Sequence, residues 1–223
     1  METPIYTETI RNFIIKIFND TDAQNPVGDW DMATTFGLIN HRNYKVVNND
    51  HGYTDLMELK EYLESLGNDV IYLPVRLYDH SGLTCSVSGG YPYNDQWDSG
   101  MWGYVWITKE TAKKEWSNKK WNSKKTQEFI IQHIKNDVQV LDDYLTGNVF
   151  GFVVENAEGE NVDSCWGFFA DHSKNEEYYR DCLEEARSMA QWNIKEENRI
   201  IAEKRGKTLN NMQDMIHPSF ATV

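Results

Sequence analysis

LYDHSGLTCSVSGGYPYNDQWDSGMWGYVWI, residues Leu77 to Ile107, is the stretch that decides the fold. Two turn signals, Asp79-His80-Ser81-Gly82 and Asp98-Ser99-Gly100, are flanked by Val, Leu, Thr, Tyr and Trp, which suit a pleated, half-buried surface. The pattern predicts two strand-turn-strand passages, with Asp capping each turn and Gly at positive φ. Between them, Gly89-Gly90-Tyr91-Pro92-Tyr93-Asn94-Asp95 cannot continue a ladder, because proline lacks the N–H and glycine packs no side chain.

Upstream, Thr54 to Leu66 reads as a helix with the stripe Leu56, Leu59, Leu63 and Leu66, a cap at Thr54 and a stop at Gly67, leading into a strand from Val70 to Leu77. Downstream, Thr108 caps a short helix through Trp116. Ser123 opens another, whose period is carried by Phe129 or Ile130, then Ile134, Val138, Leu141 and Leu145, up to Gly147. Val149–Glu155 and Val162–Phe169 then read as a hairpin, its loop Asn156–Glu160 placing glycine late, as a bulged turn requires. Asn175 to Arg205 is expected as a long helix stopped by Gly206, apolar on one face only in its first half. At the other end, Ile10, Phe13, Ile14 and Ile17 predict a helix over Thr7 to Asn19, followed by an oxygen-rich loop, Asp20 to Asp31, and a strand over Thr34 to Ile39. The elements add up to α+β: antiparallel β-sheet with helices packed beside it and a long C-terminal helix. One domain, 1–223, is expected, with a mainly helical N-terminal subregion (1–67), a sheet core (68–171) and a long helix with its tail (172–223).

The 223 residues carry eight Trp, twelve Tyr and nine Phe, enough aromatic area for a sizeable core. No run of about 18 apolar residues is present, and the N-terminal residues lack the layout of a secretory signal, so no membrane association is expected. Three cysteines, Cys85, Cys165 and Cys182, show no zinc spacing and fit a reducing, cytoplasmic setting. The net charge of −13 disfavours indiscriminate binding to nucleic acid. One segment reverses it: Lys109 to Lys125 holds seven lysines against two glutamates.

The passages YDHSGLTCS (Tyr78–Ser86), WDSGMWGYVWITKE (Trp97–Glu110), DDYLTGNVFGFVVE (Asp142–Glu155) and VDSCWGFF (Val162–Phe169) resemble a family of accessory proteins encoded by phages and mobile elements of Gram-positive bacteria. Asn25-Pro26 and the segment His41 to Tyr44 are similar too, with Asn43 where the family has a second arginine. The resemblance implies a viral protein in the host cytoplasm and brings no mechanism with it. Small phage proteins of this kind often act on host machinery, including restriction and CRISPR systems.

Three readings follow. In the first, the chain binds and modulates or inhibits a host protein, such as a DNA- or RNA-guided defence enzyme. Its carboxylates would imitate a phosphate array, as in a DNA mimic or an anti-CRISPR protein; Asp142, Asp143, Glu155, Glu158, Glu160, Glu184 and Glu185 are the candidates, with the pairs Glu176-Glu177 and Glu196-Glu197 beside them. In the second, Asp79, His80, Ser81, Asp98 and Cys165 form a ligand or hydrolase site, in which a Cys-His-Asp set activates a thiolate or paired Asp and His hold a divalent ion or nucleotide. In the third, Lys113, Lys114, Lys119 and Lys120, with Lys124, Lys125, Trp116 and Trp121, touch nucleic acid. The sequence contains no phosphate-binding glycine loop, HExxH helix or G-x-S-x-G elbow. No catalytic residue, metal or cofactor is assigned, and weight falls on a binding role.

Overall fold

The computed structural model describes residues 3–39, 52–87, 95, 97–172 and 177–216, with side chains to 208. The polar patch at Asn40 to Tyr44, most of the loop from Gly89 to Asn94, and Glu176 lie outside the described residues. Among the described residues eight strands and five α-helices form the α+β fold, in two compact units: Met1–Asn19 with Phe150–Val223, and Asp20–Val149. The expected division into 1–67, 68–171 and 172–223 follows chain order, whereas the contacts group the two ends together.

In the discontinuous unit, β1 (Tyr6–Ile10), β2 (Phe13–Asn19), β7 (Val149–Glu155) and β8 (Asn161–Phe169) make one sheet in that order. The helix expected over Thr7 to Asn19 is therefore a hairpin. Ile10, Phe13, Ile14 and Ile17 satisfy a helical period, but Phe13, Ile15 and Ile17 also alternate, and these three are buried while Ile14, Lys16 and Phe18 are half-buried. Arg11 takes φ 57° in the two-residue turn, and β7 supplies the pairing partner that a local reading cannot see. Phe13, Ile15, Ile17, Phe152 and Val154 pack against Cys182, Leu183, Ala186, Ala190 and Ile194 of α5 (Arg180–Ile216). α5 begins later than expected and runs on past Gly206 rather than stopping there.

The β7–β8 turn has the expected form: Gly159 takes φ 80°, and the Asn156 carboxamide oxygen accepts from the Glu158 and Glu160 N–H groups.

In the contiguous unit, β3 (Thr35–Leu38), β4 (Val70–Asp79), β5 (Leu83–Ser86) and β6 (Ser99–Thr108) form a second sheet in the order β3-β6-β4-β5. All its pairings are antiparallel. Leu77, Leu83, Cys85, Val105 and Ile107 face Ile130, Ile134, Val138 and Leu141 of α4 (Lys124–Thr146). Trp106 and Val70 meet Leu59 and Leu63 of α2 (Leu56–Ser65), while the single distorted turn α1 (Pro26–Asp29) contributes Val27 to the core. Asp55, one residue after the expected Thr54, caps α2 by accepting from the Met57 and Glu58 N–H groups. Asp98-Ser99-Gly100 is not a turn: Ser99 and Gly100 open β6 and pair with Tyr78 and Leu77, a cross-strand partner outweighing local turn propensity. In the β4–β5 loop the left-handed residue is Ser81 (φ 60°), where Gly82 was the expectation.

Candidate functional site

β6 runs straight into α3 (Lys109–Glu115), because the Thr108 hydroxyl accepts from the Thr111 N–H at 3.1 Å and starts the helix. α3 ends at Trp116, and Ser123 caps α4 by accepting from the Thr126 N–H at 3.2 Å. This strand-helix-turn-helix passage concentrates the lysines. It carries two hollows, one of about 240 Å³ lined by Lys109, Lys113, Trp116, Lys119, Lys120 and Trp121, the other of about 580 Å³ lined by Tyr62, Asp69, Lys109, Glu110 and Lys113.

The tryptophans are positioned by their neighbours. Trp121 Nε1 donates to the Asn68 carbonyl at 2.7 Å, and Trp116 stands edge-on to Phe129 (5.2 Å, 86°) and His133 (4.8 Å, 76°). The lysines divide by partner. Lys109 pairs with Asp69 at 2.8 Å, Lys114 with Glu115 at 3.4 Å and Lys124 with Glu128 at 3.8 Å, while Lys119 Nζ lies 4.1 Å from the Phe129 ring centroid. Among the described residues, Lys113 and Lys120 have no carboxylate in ion-pair reach. Lys114, Lys124 and Lys125 line neither hollow. Sequence reading counted Lys109 in the basic segment without giving it a contact, and missed Tyr62 and Asp69, which arrive from α2 and the turn after it and carry no local signal.

His133, which packs on Trp116, holds its Nε2 3.4 Å from Asp137, whose carboxylate accepts from the buried Thr34 hydroxyl. Burial raises the Asp137 carboxyl above its ordinary value, against the lowering effect of Thr34 and His133.

The second reading's residues divide between the units. His80 Nδ1 lies 2.7 Å from Asp98 Oδ2, the Asp79 N–H donates to the Asp98 carbonyl at 2.8 Å, and His80 stacks on Tyr78. Asp79, His80, Ser81 and Asp98 thus meet where β4, β5 and β6 end. Cys165 is an exposed residue of β8, in the other unit. Among the described residues no group of three or more His, Cys, Asp or Glu comes together as a metal site.

The carboxylates of the first reading are spread over several elements. Asp142 accepts from the Thr84 hydroxyl at 2.5 Å and the Cys85 N–H at 2.8 Å, and Asp143 is buried with Gln139 Nε2 donating at 3.3 Å. Glu155 pairs with Lys16 at 2.6 Å, Glu160 accepts from Asn156 Nδ2, and Glu184 is 3.8 Å from Arg180 Nε. Glu158 and Glu185 are exposed. Glu196 is engaged by Arg199, and Glu197 accepts from Asn12 Nδ2 at 2.9 Å. No protein-family model matches the chain, and no curated protein or solved structure matches it.

Proposed function

We propose that the protein is a binding protein for a phosphate-bearing ligand, held by the passage from Thr108 to Thr126. One observation carries this: a chain of net charge −13 lines a single hollow of about 240 Å³ with four lysines and two tryptophans. Lysine ammonium groups recognise phosphate as point charges, and a concave wall strengthens the field they project. Calorimetric titration with tripolyphosphate at low salt tests the reading. Saturable binding that disappears in Lys113→Gln/Lys120→Gln, with an unchanged melting temperature, supports it; no heat of binding to the wild-type protein refutes it.

A second reading, a protein that binds and modulates a host protein of the nucleic-acid-directed defence kind, draws support from α5. Among its described side chains the last buried one is Ile194, yet the helix continues, with Trp192, Ile200 and Ile201 exposed. Isolated helical turns are marginal in water, and a partner groove would bury these residues. Asp142 and Asp143 are engaged inside the fold, so a phosphate-mimicking surface would draw on Glu158, Glu160, Glu184 and Glu185. Stoichiometric capture of one host protein by the full chain, lost when α5 is cut after Lys195, is the expected result; equal capture by the shortened chain refutes it.

A further inference from the structure

Resting on the phosphate-binding reading, we infer that the ligand is single-stranded nucleic acid, with its phosphates at the smaller hollow and a base in the larger one. The two hollows share Lys109 and Lys113 in their linings, so they adjoin along α3, and the proposed trough runs across both with chemically different ends. The small end presents Lys113, Lys119 and Lys120 beside Trp116 and Trp121. Phosphates and a stacking surface are therefore served together, the pairing that single-strand binders use. Both indoles are already oriented, Trp121 by its bond to the Asn68 carbonyl and Trp116 by Phe129 and His133, so little ordering is left to the binding step.

The large end is different. Tyr62 offers an aromatic ring, and Glu110 a carboxylate that would repel phosphate but accepts readily from the exocyclic amine of a base. Asp69, which also lines it, is tied to Lys109. A plain polyanion would satisfy only the lysine end, whereas a base-bearing strand satisfies both. Cytosine, with its N4 amine, fits Glu110 better than thymine, which has no exocyclic donor. A duplex, broad and uniformly charged, would meet the acidic remainder of the chain instead of entering the trough.

The experiment is fluorescence anisotropy with short labelled oligonucleotides. Oligodeoxycytidylate is expected to bind more tightly than oligodeoxythymidylate, and at least about fivefold more tightly than an abasic strand of the same length, since stacking on tryptophan contributes about 1–3 kcal/mol per base. Three lysine–phosphate contacts give a log–log salt slope of about −2, roughly a twentyfold loss between about 50 and 200 mM salt. Lys113→Gln/Lys120→Gln reduces the slope to about −0.7, as one remaining contact requires. Trp121→Ala weakens the cytidylate by roughly tenfold; Trp121→Phe, which keeps a ring if Trp121→Ala does not fold, restores part of it. Glu110→Gln narrows the preference for cytidylate. If the abasic strand or tripolyphosphate binds as tightly as the cytidylate, or a duplex does, the inference fails while the phosphate-binding reading stands. If none of these ligands binds at about 50 mM salt, both fail.

Discussion

Asp142 separates a structural role from a recognition role more sharply than any other residue here. It is one of the acidic residues that sequence reading offers to a partner, yet its carboxylate covers the outer edge of β5, accepting from the Thr84 hydroxyl at 2.5 Å and from the Cys85 N–H at 2.8 Å. Among the described residues β5 is the last strand of its sheet, paired to β4, so without Asp142 the Cys85 N–H has no ladder partner among them on that side. Hydrogen bonds to a charged acceptor contribute about 1.5–3 kcal/mol each, and the stranded, part-buried N–H adds a desolvation cost. The two bonds overlap in one carboxylate, so Asp142→Ala should lose about 3 kcal/mol, a melting temperature lower by roughly 10 °C for a unit of this size. Asp142→Asn keeps one acceptor oxygen and should lose about half as much, and Thr84→Val, which removes one donor and leaves Asp142 bonded to Cys85, about 1 kcal/mol. Urea unfolding of the three variants measures these differences. A stability loss below about 0.5 kcal/mol for Asp142→Ala would refute the reasoning and return the carboxylate to the surface as a recognition group.

The remaining expectations concern packing and titration. A Cβ added at Gly103 would lie 2.0 Å from the Gly37 carbonyl oxygen on the neighbouring strand, so Gly103→Ala should cost about 3 kcal/mol by forcing β3 off β6. Gly100→Ala on the same strand meets open space and should be tolerated, and comparable urea midpoints for the two variants would contradict this. Burial pushes the Cys182 thiol up to about 12, with Cys165 adding to it, and burial with Asp142 and Asp143 raises Cys85 well above the ordinary value. Because the thiolate is the nucleophile, iodoacetamide should label Cys165 alone in the native protein and all three cysteines in denaturant. Rapid native labelling of Cys182, read by peptide mass spectrometry, would overturn that. Asp137 holds its proton more tightly folded than unfolded, so its contribution to stability is present below 3.8 and is lost as pH rises through the raised folded value. Asp137→Asn removes this loss and leaves an acceptor for Thr34. Its stability relative to wild type should therefore grow between pH 4 and 7, and a pH-independent difference would exclude the effect.

Legibility from the sequence tracked how locally each element is determined. Thr108 and Ser123 cap their helices through a hydroxyl three residues from the N–H it receives, and Gly147 ends α4 at φ 74°; all three signals lie within one turn of the feature they set. The β7–β8 turn is equally local. The N-terminal hairpin was misread because its isoleucines fit two periods and the deciding partner, β7, lies more than a hundred residues away. Ser99 and Gly100 were misread for the same reason, β4 overriding them. At the candidate site, the lysines, the tryptophans and Glu110 were visible in one segment, but Tyr62 and Asp69 join them only through the packing of α2 and the turn after it beside β6. The inward role of Asp142 was invisible, since an acid on a helix carries no mark of which way it faces.

The pairing of β2 with β7 also constrains how the chain is made. A two-stranded ribbon is marginal alone, so the residues of β1 and β2 leave the ribosome long before the strand that stabilises them. At about 5–20 residues per second, synthesis of the intervening segment takes roughly 6–26 s, by the end of which Asp20–Val149 has every partner for its own sheet while β2 still lacks β7. The middle of the chain is therefore free to fold first, and β1 and β2, although made before it, find their place later. That waiting interval, with Phe13, Ile15 and Ile17 uncovered, is when the new chain is most exposed to misassociation, and slowing translation near β7 would lengthen it.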